Sequence, residues 1–116
     1  MAELEMEGDE IVLHLSQTEK LEAVHGDLRE PLSAVRSVEV LEDAHGPADH
    51  GLKVGLRLPG HAEVATVYSD DRKIFAAVHH NTAKGVRVVF EGAKYDEWIV
   101  GSADPESLKA RIEAGL

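Results

Sequence analysis

The residues with the most chemical capacity in this chain are its histidines, seven in 116 positions. His45 and His50 share a turn-rich stretch with Glu42, Asp43 and Asp49, and His61 follows at the next turn. Imidazole nitrogens and carboxylate oxygens are ligands that zinc and other divalent ions accept. His45, His50 and His61 therefore form a candidate metal set, and the 43–61 loop is a candidate small-ligand site. Their spacing matches no closed zinc motif, and a solvated polar loop accounts for the same residues. His79 and His80 end a strand and point to opposite faces, so one ion cannot take both without distortion. His14 alternates onto the outer face of the first strand.

Other chemistries find less support. With no cysteine, thiolate catalysis and disulfides are excluded. None of the serines sits in a G-x-S-x-G elbow, and the phosphate-loop, dinucleotide and H-E-x-x-H patterns are absent. The carboxylate pairs Glu42-Asp43 and Asp70-Asp71 fall where turns are expected, and there such residues are solvated turn formers. The sequence reads as non-enzymatic and calls for no cofactor. Among the aromatics, Phe90 lies on an alternating apolar face and belongs in the core. Tyr95 and Trp98 are three apart, so on a regular strand they face opposite sides. Trp98, with Val86 and Val88 on the neighbouring strand, is the candidate partner-binding surface, because tryptophan is enriched at interfaces. A half-buried tryptophan covering the rim of the fold is the competing reading.

Charge narrows the partners. Twelve Lys and Arg against 22 Asp and Glu give a formal net charge of −10. The cations are scattered, so nucleic acid and anionic lipid are not expected as partners. A protein or peptide, or a second copy of the chain, is. The opening MAELEMEGDE is acidic and has no apolar run, unlike a signal peptide. The expected compartment is the cytoplasm.

The elements that would position these residues follow from periodicity. Residues 1–9 read as an acidic, mobile tail and 10–116 as one domain. Ile11, Leu13 and Leu15 alternate as a half-buried strand. Ser16 and Glu19 make a capping box for a short helix over 17–25, stopped by Gly26. Strands are expected at 28–30, 35–42, 52–59, 62–68, 73–79, 86–90 and 95–100, with turns at 31–34, 43–51, 69–72 and 91–94. Asp104 and Pro105 open a final helix as N-cap and first-turn proline, Leu108 and Ile112 share one of its faces, and Gly115 ends it. Short connections favour antiparallel pairing, and a groove is expected between this helix and a strand edge at Val86–Phe90 or at 35–42.

Several stretches together, LSQTEKLEAVHGDLREPLSAVRSVEV (15–40), HGLKVGLRLPG (50–60), KIFAAVHH (73–80), GVRVVFEGAKYDEWIV (85–100) and DPESLKARI (104–112), resemble the bacterial pleckstrin-homology-like domains in their actinobacterial form. The resemblance implies a mainly β fold, a seven-stranded, strongly bent antiparallel barrel capped by a C-terminal helix, here with an extra short helix after the first strand. It implies binding rather than catalysis. Lipid-binding members of that fold cluster cations after the first strand, where this chain has SQTEKLEAVHG with Lys20 alone among two glutamates, so no lipid-binding residue transfers.

Overall fold

A computed structural model describes residues 3–16, 27–44, 52–58, 62–69, 71–79 and 83–116. The fold is mainly β with one C-terminal helix, and its strands fall into two sheets. The expected helix at 17–25 and most of the 43–61 loop lie outside the described residues.

The first sheet is antiparallel and runs in the order β1 (Glu3–Glu7), β2 (Glu10–His14), β3 (Leu28–Pro31). Its first hairpin turns on Gly8-Asp9, with Gly8 at φ 65. A positive φ there gives the turn a twist that matches the strands it joins, and glycine adopts it at least cost. For the described residues 3–9 this corrects the reading of a mobile tail over 1–9. Glu3, Glu5 and Glu7 alternate with Leu4 and Met6, and Leu4 is buried in the core. The acidic residues are the solvent face of a strand.

The second sheet has six strands, adding β4 (Val35–Leu41), β5 (Leu52–Leu58), β6 (Ala62–Ser69), β7 (Arg72–His79), β8 (Gly85–Phe90) and β9 (Glu97–Gly101). Their order is β4-β8-β9-β7-β6-β5. A 3-10 turn, Leu32–Ala34, joins the two sheets. Neighbours are antiparallel except β7 and β9, which run parallel from Ile74↔Glu97 to Ala77↔Val100. Three fold expectations are thereby corrected: the described residues hold nine strands against the seven of the barrel the resemblance implies, one pair is parallel, and the described strands form two sheets without closing into one barrel. The parallel pair arises because β8 crosses past β7 to reach β4, and the β8–β9 hairpin then folds β9 into the space between.

That insertion leaves β7 and β9 buried on both faces, which is why IFAAV and WIV read as continuous apolar runs. On one face Phe75, Val86, Val88, Trp98 and Val100 meet Leu4, Ile11, Leu13 and Leu28 of the first sheet, and Leu108 and Ile112 of the helix. On the other face Ile74, Ala76, Val78 and Ile99 cluster with Leu41, Ala44 and Val67. The helix α1 (Pro105–Ala114) forms as its sequence predicts. The Ser107 amide donates to Asp104 Oδ1 at 3.2 Å, and the buried face is Pro105, Leu108 and Ile112. No helix among the described residues is long and apolar enough to cross a membrane.

Candidate functional site

The structure first removes a candidate. Trp98, Val86 and Val88 are fully buried. Trp98 and Val88 lie opposite one another across β8 and β9 on the main core face. They hold the sheets together and cannot touch a partner, so their assignment as a partner-binding surface is corrected. Phe90 packs edge-on to the Trp98 ring with centroids 4.7 Å apart. Tyr95 is buried as well, because it precedes β9 and is not bound by strand alternation. His45, His50 and His61 lie outside the described residues.

What the structure brings together instead is an acidic face around His14. The β1–β2 register sets Glu5 opposite Val12 and Glu3 opposite His14, so Glu3, Glu5 and His14 project from the same side. His14 Nε2 lies 2.5 Å from Glu7 Oε2 and 3.7 Å from Glu5 Oε2. Its other nitrogen, Nδ1, lies 3.2 Å from Asp27 Oδ2. Asp27 is fixed in turn, since its Oδ1 accepts the Leu15 amide at 2.8 Å. With a carboxylate at each nitrogen, both N–H groups find acceptors only in the imidazolium. The Glu7 and then the Asp27 hydrogen bonds accordingly raise the His14 pKa above its ordinary 6.5. Glu5, Glu7 and His14 also bring three ligand atoms within 4.8 Å of one another. A metal would need the Nε2 lone pair that the raised pKa assigns to a proton. Arg29 adds a cation to the same face, 3.0 Å from Glu10 and 3.9 Å from Glu7.

Beside this face runs a groove of about 390 Å³, lined by Glu3, Leu4 and Glu5 of β1, Val100 to Ala103 at the end of β9, and Leu108 and Arg111 of α1. Among the described residues β1 is the outer strand of its sheet, and one of its edges has no strand partner there. A second, smaller cavity of about 180 Å³ lies between β3 and the β8–β9 turn. Asp27, Leu28, Arg29, Glu30, Lys94, Tyr95 and Trp98 line it.

One further polar group is buried on the secondary core face. Glu97 is almost wholly inaccessible and forms ion pairs with Arg72 and with Arg87, the latter at 2.9 Å from Nε. The Arg87 contact is a close charge pair whose angles are not those of a hydrogen bond. Arg87 also reaches Glu39 at 3.4 Å.

Sequence reasoning missed Glu5, Glu7 and Asp27 as partners of His14. The signal was present: Gly8-Asp9 between two alternating runs is a two-residue hairpin pattern, and it places Glu5 across from Val12. Comparison with protein-family models, with curated proteins and with solved structures found no match.

Proposed function

We propose that this chain is a non-enzymatic binding module that takes an extended, basic peptide or protein segment along the open edge of β1. The observation that carries this is the groove between that edge and α1. An edge strand presents a row of N–H and C=O groups that another strand can pair with, and a flanking groove gives side chains a place to sit. The groove expected from sequence was beside 86–90 or 35–42; the groove that supports this reading lies against β1 instead. The mainly β architecture with a C-terminal helix is the feature the chain shares with pleckstrin-homology-like modules, and it supports a binding role of this kind.

Charge selects the partner. Glu3, Glu5 and Glu7 line β1, Glu10 follows on β2, and the whole chain carries a net −10. Lys and Arg side chains on the incoming strand meet carboxylates, and attraction of this kind raises association rates and weakens with salt. A second copy of the chain would set like charges against each other, so a basic partner fits better than self-association.

A Lys-rich extended peptide, titrated against the isotope-labelled chain, tests the reading. The expected result is saturable shifts in the Glu3–Glu7 amides that weaken as salt rises. The double charge reversal Glu3→Lys/Glu5→Lys should abolish them, and a Glu-rich peptide of the same length should not bind. Shifts confined to other elements, or none, would overturn the assignment.

A further inference from the structure

We propose that His14, Glu5 and Glu7 form a zinc-binding site and that Asp27 orients its imidazole. The inference starts from the register of the first sheet. Glu5 and Glu7 stand two apart on β1 and so share a face. With His14 of β2 they bring one ligand atom each to within 4.8 Å of one another. The pairing of Leu28 with Leu13 sets Asp27, just before β3, beside the same ring. The donor set is mixed, one imidazole nitrogen and two carboxylate oxygens. Zinc accepts both ligand types, and three of them leave its fourth position to water.

Asp27 prepares the ring for this role. Its Oδ1 accepts the Leu15 amide at 2.8 Å, which fixes the carboxylate, and its Oδ2 lies 3.2 Å from His14 Nδ1. A proton on Nδ1, donated to Asp27, leaves Nε2 as the coordinating atom. Nε2 is the nitrogen that faces Glu7 at 2.5 Å and Glu5 at 3.7 Å. Metal-bound histidines almost always give their other nitrogen to a carboxylate, a carbonyl or water, and that partner sets the tautomer and raises the basicity of the ligand.

In the metal-free chain a proton on Nε2, held by Glu7, occupies the same place. Zinc exchanges with it: the Nε2–H bond breaks, an Nε2–zinc bond forms, and the proton leaves to solvent. Tetrahedral zinc bonds of about 2.0–2.1 Å set the ligand atoms about 3.3 Å apart. Glu7 must then open from 2.5 Å and Glu5 close from 3.7 Å, each by under about 1 Å. Both glutamate side chains are well exposed, at 40% and 52%, so they can turn without disturbing the core. Charge favours the exchange, because Glu3 and Glu10 add carboxylates to this face and Arg29 is its fixed cation among the described residues. Magnesium and calcium prefer oxygen alone, so the imidazole selects zinc over them.

Zinc titrated into the chain with 15N-labelled histidine tests the site, because each ring reports separately. The expected result is a saturable change at His14 Nε2 with one equivalent bound, which excess magnesium does not reverse. Replacing His45, His50 and His61 by alanine should leave that change intact. The double variant Glu5→Gln/Glu7→Gln alters exposed side chains only, and it should weaken binding by at least the roughly 10–100-fold that losing an outer-shell partner costs. Asp27→Asn keeps an oxygen for the Leu15 amide and turns an N–H toward the ring. It should lower zinc affinity about 10–100-fold and shift the neutral His14 ring toward the Nε2–H tautomer, which a merely structural role would not do. Zinc responses confined to the other histidines would overturn the proposal. So would a His14 response that magnesium reverses, the mark of a diffuse cation cloud on an acidic face, or one that the double variant leaves unchanged. The peptide titration, run with a chelator present, reads the Glu3–Glu7 amides, so the two proposals fail independently.

Discussion

His14 shows how strand register turns an ordinary side chain into a titrating contact. Glu7 and Asp27 each take one ring nitrogen, Glu5 stands 3.7 Å off, and Arg29 is the nearby cation held on Glu7 and Glu10. The folded-state pKa lies above 6.5, so folding favours the protonated ring. That contribution is fully present below the unfolded pKa and is lost as pH rises through the raised folded value. The wild type should therefore lose stability relative to His14→Gln as pH rises from below the ordinary 6.5 through the raised folded value. Because the ring is partly exposed, the difference should stay within about 1 kcal/mol. Urea midpoints of both proteins at several pH values check this, and parallel pH profiles would sink it. Glu97 makes the opposite case, a charge taken out of water and held by two cations. Its arginines differ from it in being able to reach solvent, since Arg72 is 54% exposed and Arg87 25%. Removing the anion should then be cheap and removing the cations dear. Glu97→Met should cost less than about 1.5 kcal/mol, while Arg72→Met/Arg87→Met, which strands a buried carboxylate, should cost about 3–5 kcal/mol. Equal losses in urea unfolding would show that the asymmetry is wrong.

At the scale of elements, most strands and the last helix were legible because their signals are local. Alternation at Val38 and Val40, the paired runs around Ser69 to Arg72, and the Asp104-Pro105 cap each dictate structure within a few residues. What stayed illegible was which strands become neighbours. Ile74 to Val78 and Trp98 to Val100 are apolar without alternation, which signals burial on both faces and names no partner. Their parallel pairing depends on β8 crossing to β4, a long-range event with no sequence mark. One place where the crossing leaves a trace is Gly85, paired with Gly101 at the start of β8. A Cβ there would sit 2.3 Å from the Val100 carbonyl oxygen and 3.0 Å from Ala44 Cβ. Gly85→Ala should thus push β8 from β9 and cost about 1–3 kcal/mol. Gly92 is the control: its φ of 75 strains a side chain, but nothing lies within 4 Å of an added Cβ. Asn tolerates that conformation, so Gly92→Asn should be milder than Gly92→Ala, whereas Gly85→Asn should be no better than Gly85→Ala. Denaturant midpoints at constant m-value separate the steric case from the conformational one.

The candidate site was less legible than the fold, and the reason belongs to the whole molecule. Trp98 was read as a surface anchor because strand alternation from Tyr95 assigns them opposite faces. Tyr95 lies before the strand begins, and a sheet sandwiched between two clusters leaves Trp98 no outer side. The acidic opening was read as a tail because charge dominates its composition. In the folded chain Leu4 is buried between the sheets, Ile11, Val12 and Leu13 on the adjoining strand are fully buried, and the glutamates face outward. These readings predict different outcomes for one truncation. A solvated tail can be removed with a change within about 0.5 kcal/mol. Removing β1 takes away the Leu4 side chain, worth about 1.5–3 kcal/mol when buried. It also strips β2 of one strand partner and opens its apolar residues to water. A chain beginning at Asp9 should therefore lose more than about 3 kcal/mol, a large share of the 5–15 kcal/mol typical of a domain. Its Tm should fall by more than about 10 °C. Thermal unfolding followed by Trp98 fluorescence measures this directly, because Trp98 packs in the same cluster as Leu4. An unchanged Tm would mean that β1 contributes nothing to the core and would remove the strand on which the proposed docking edge depends.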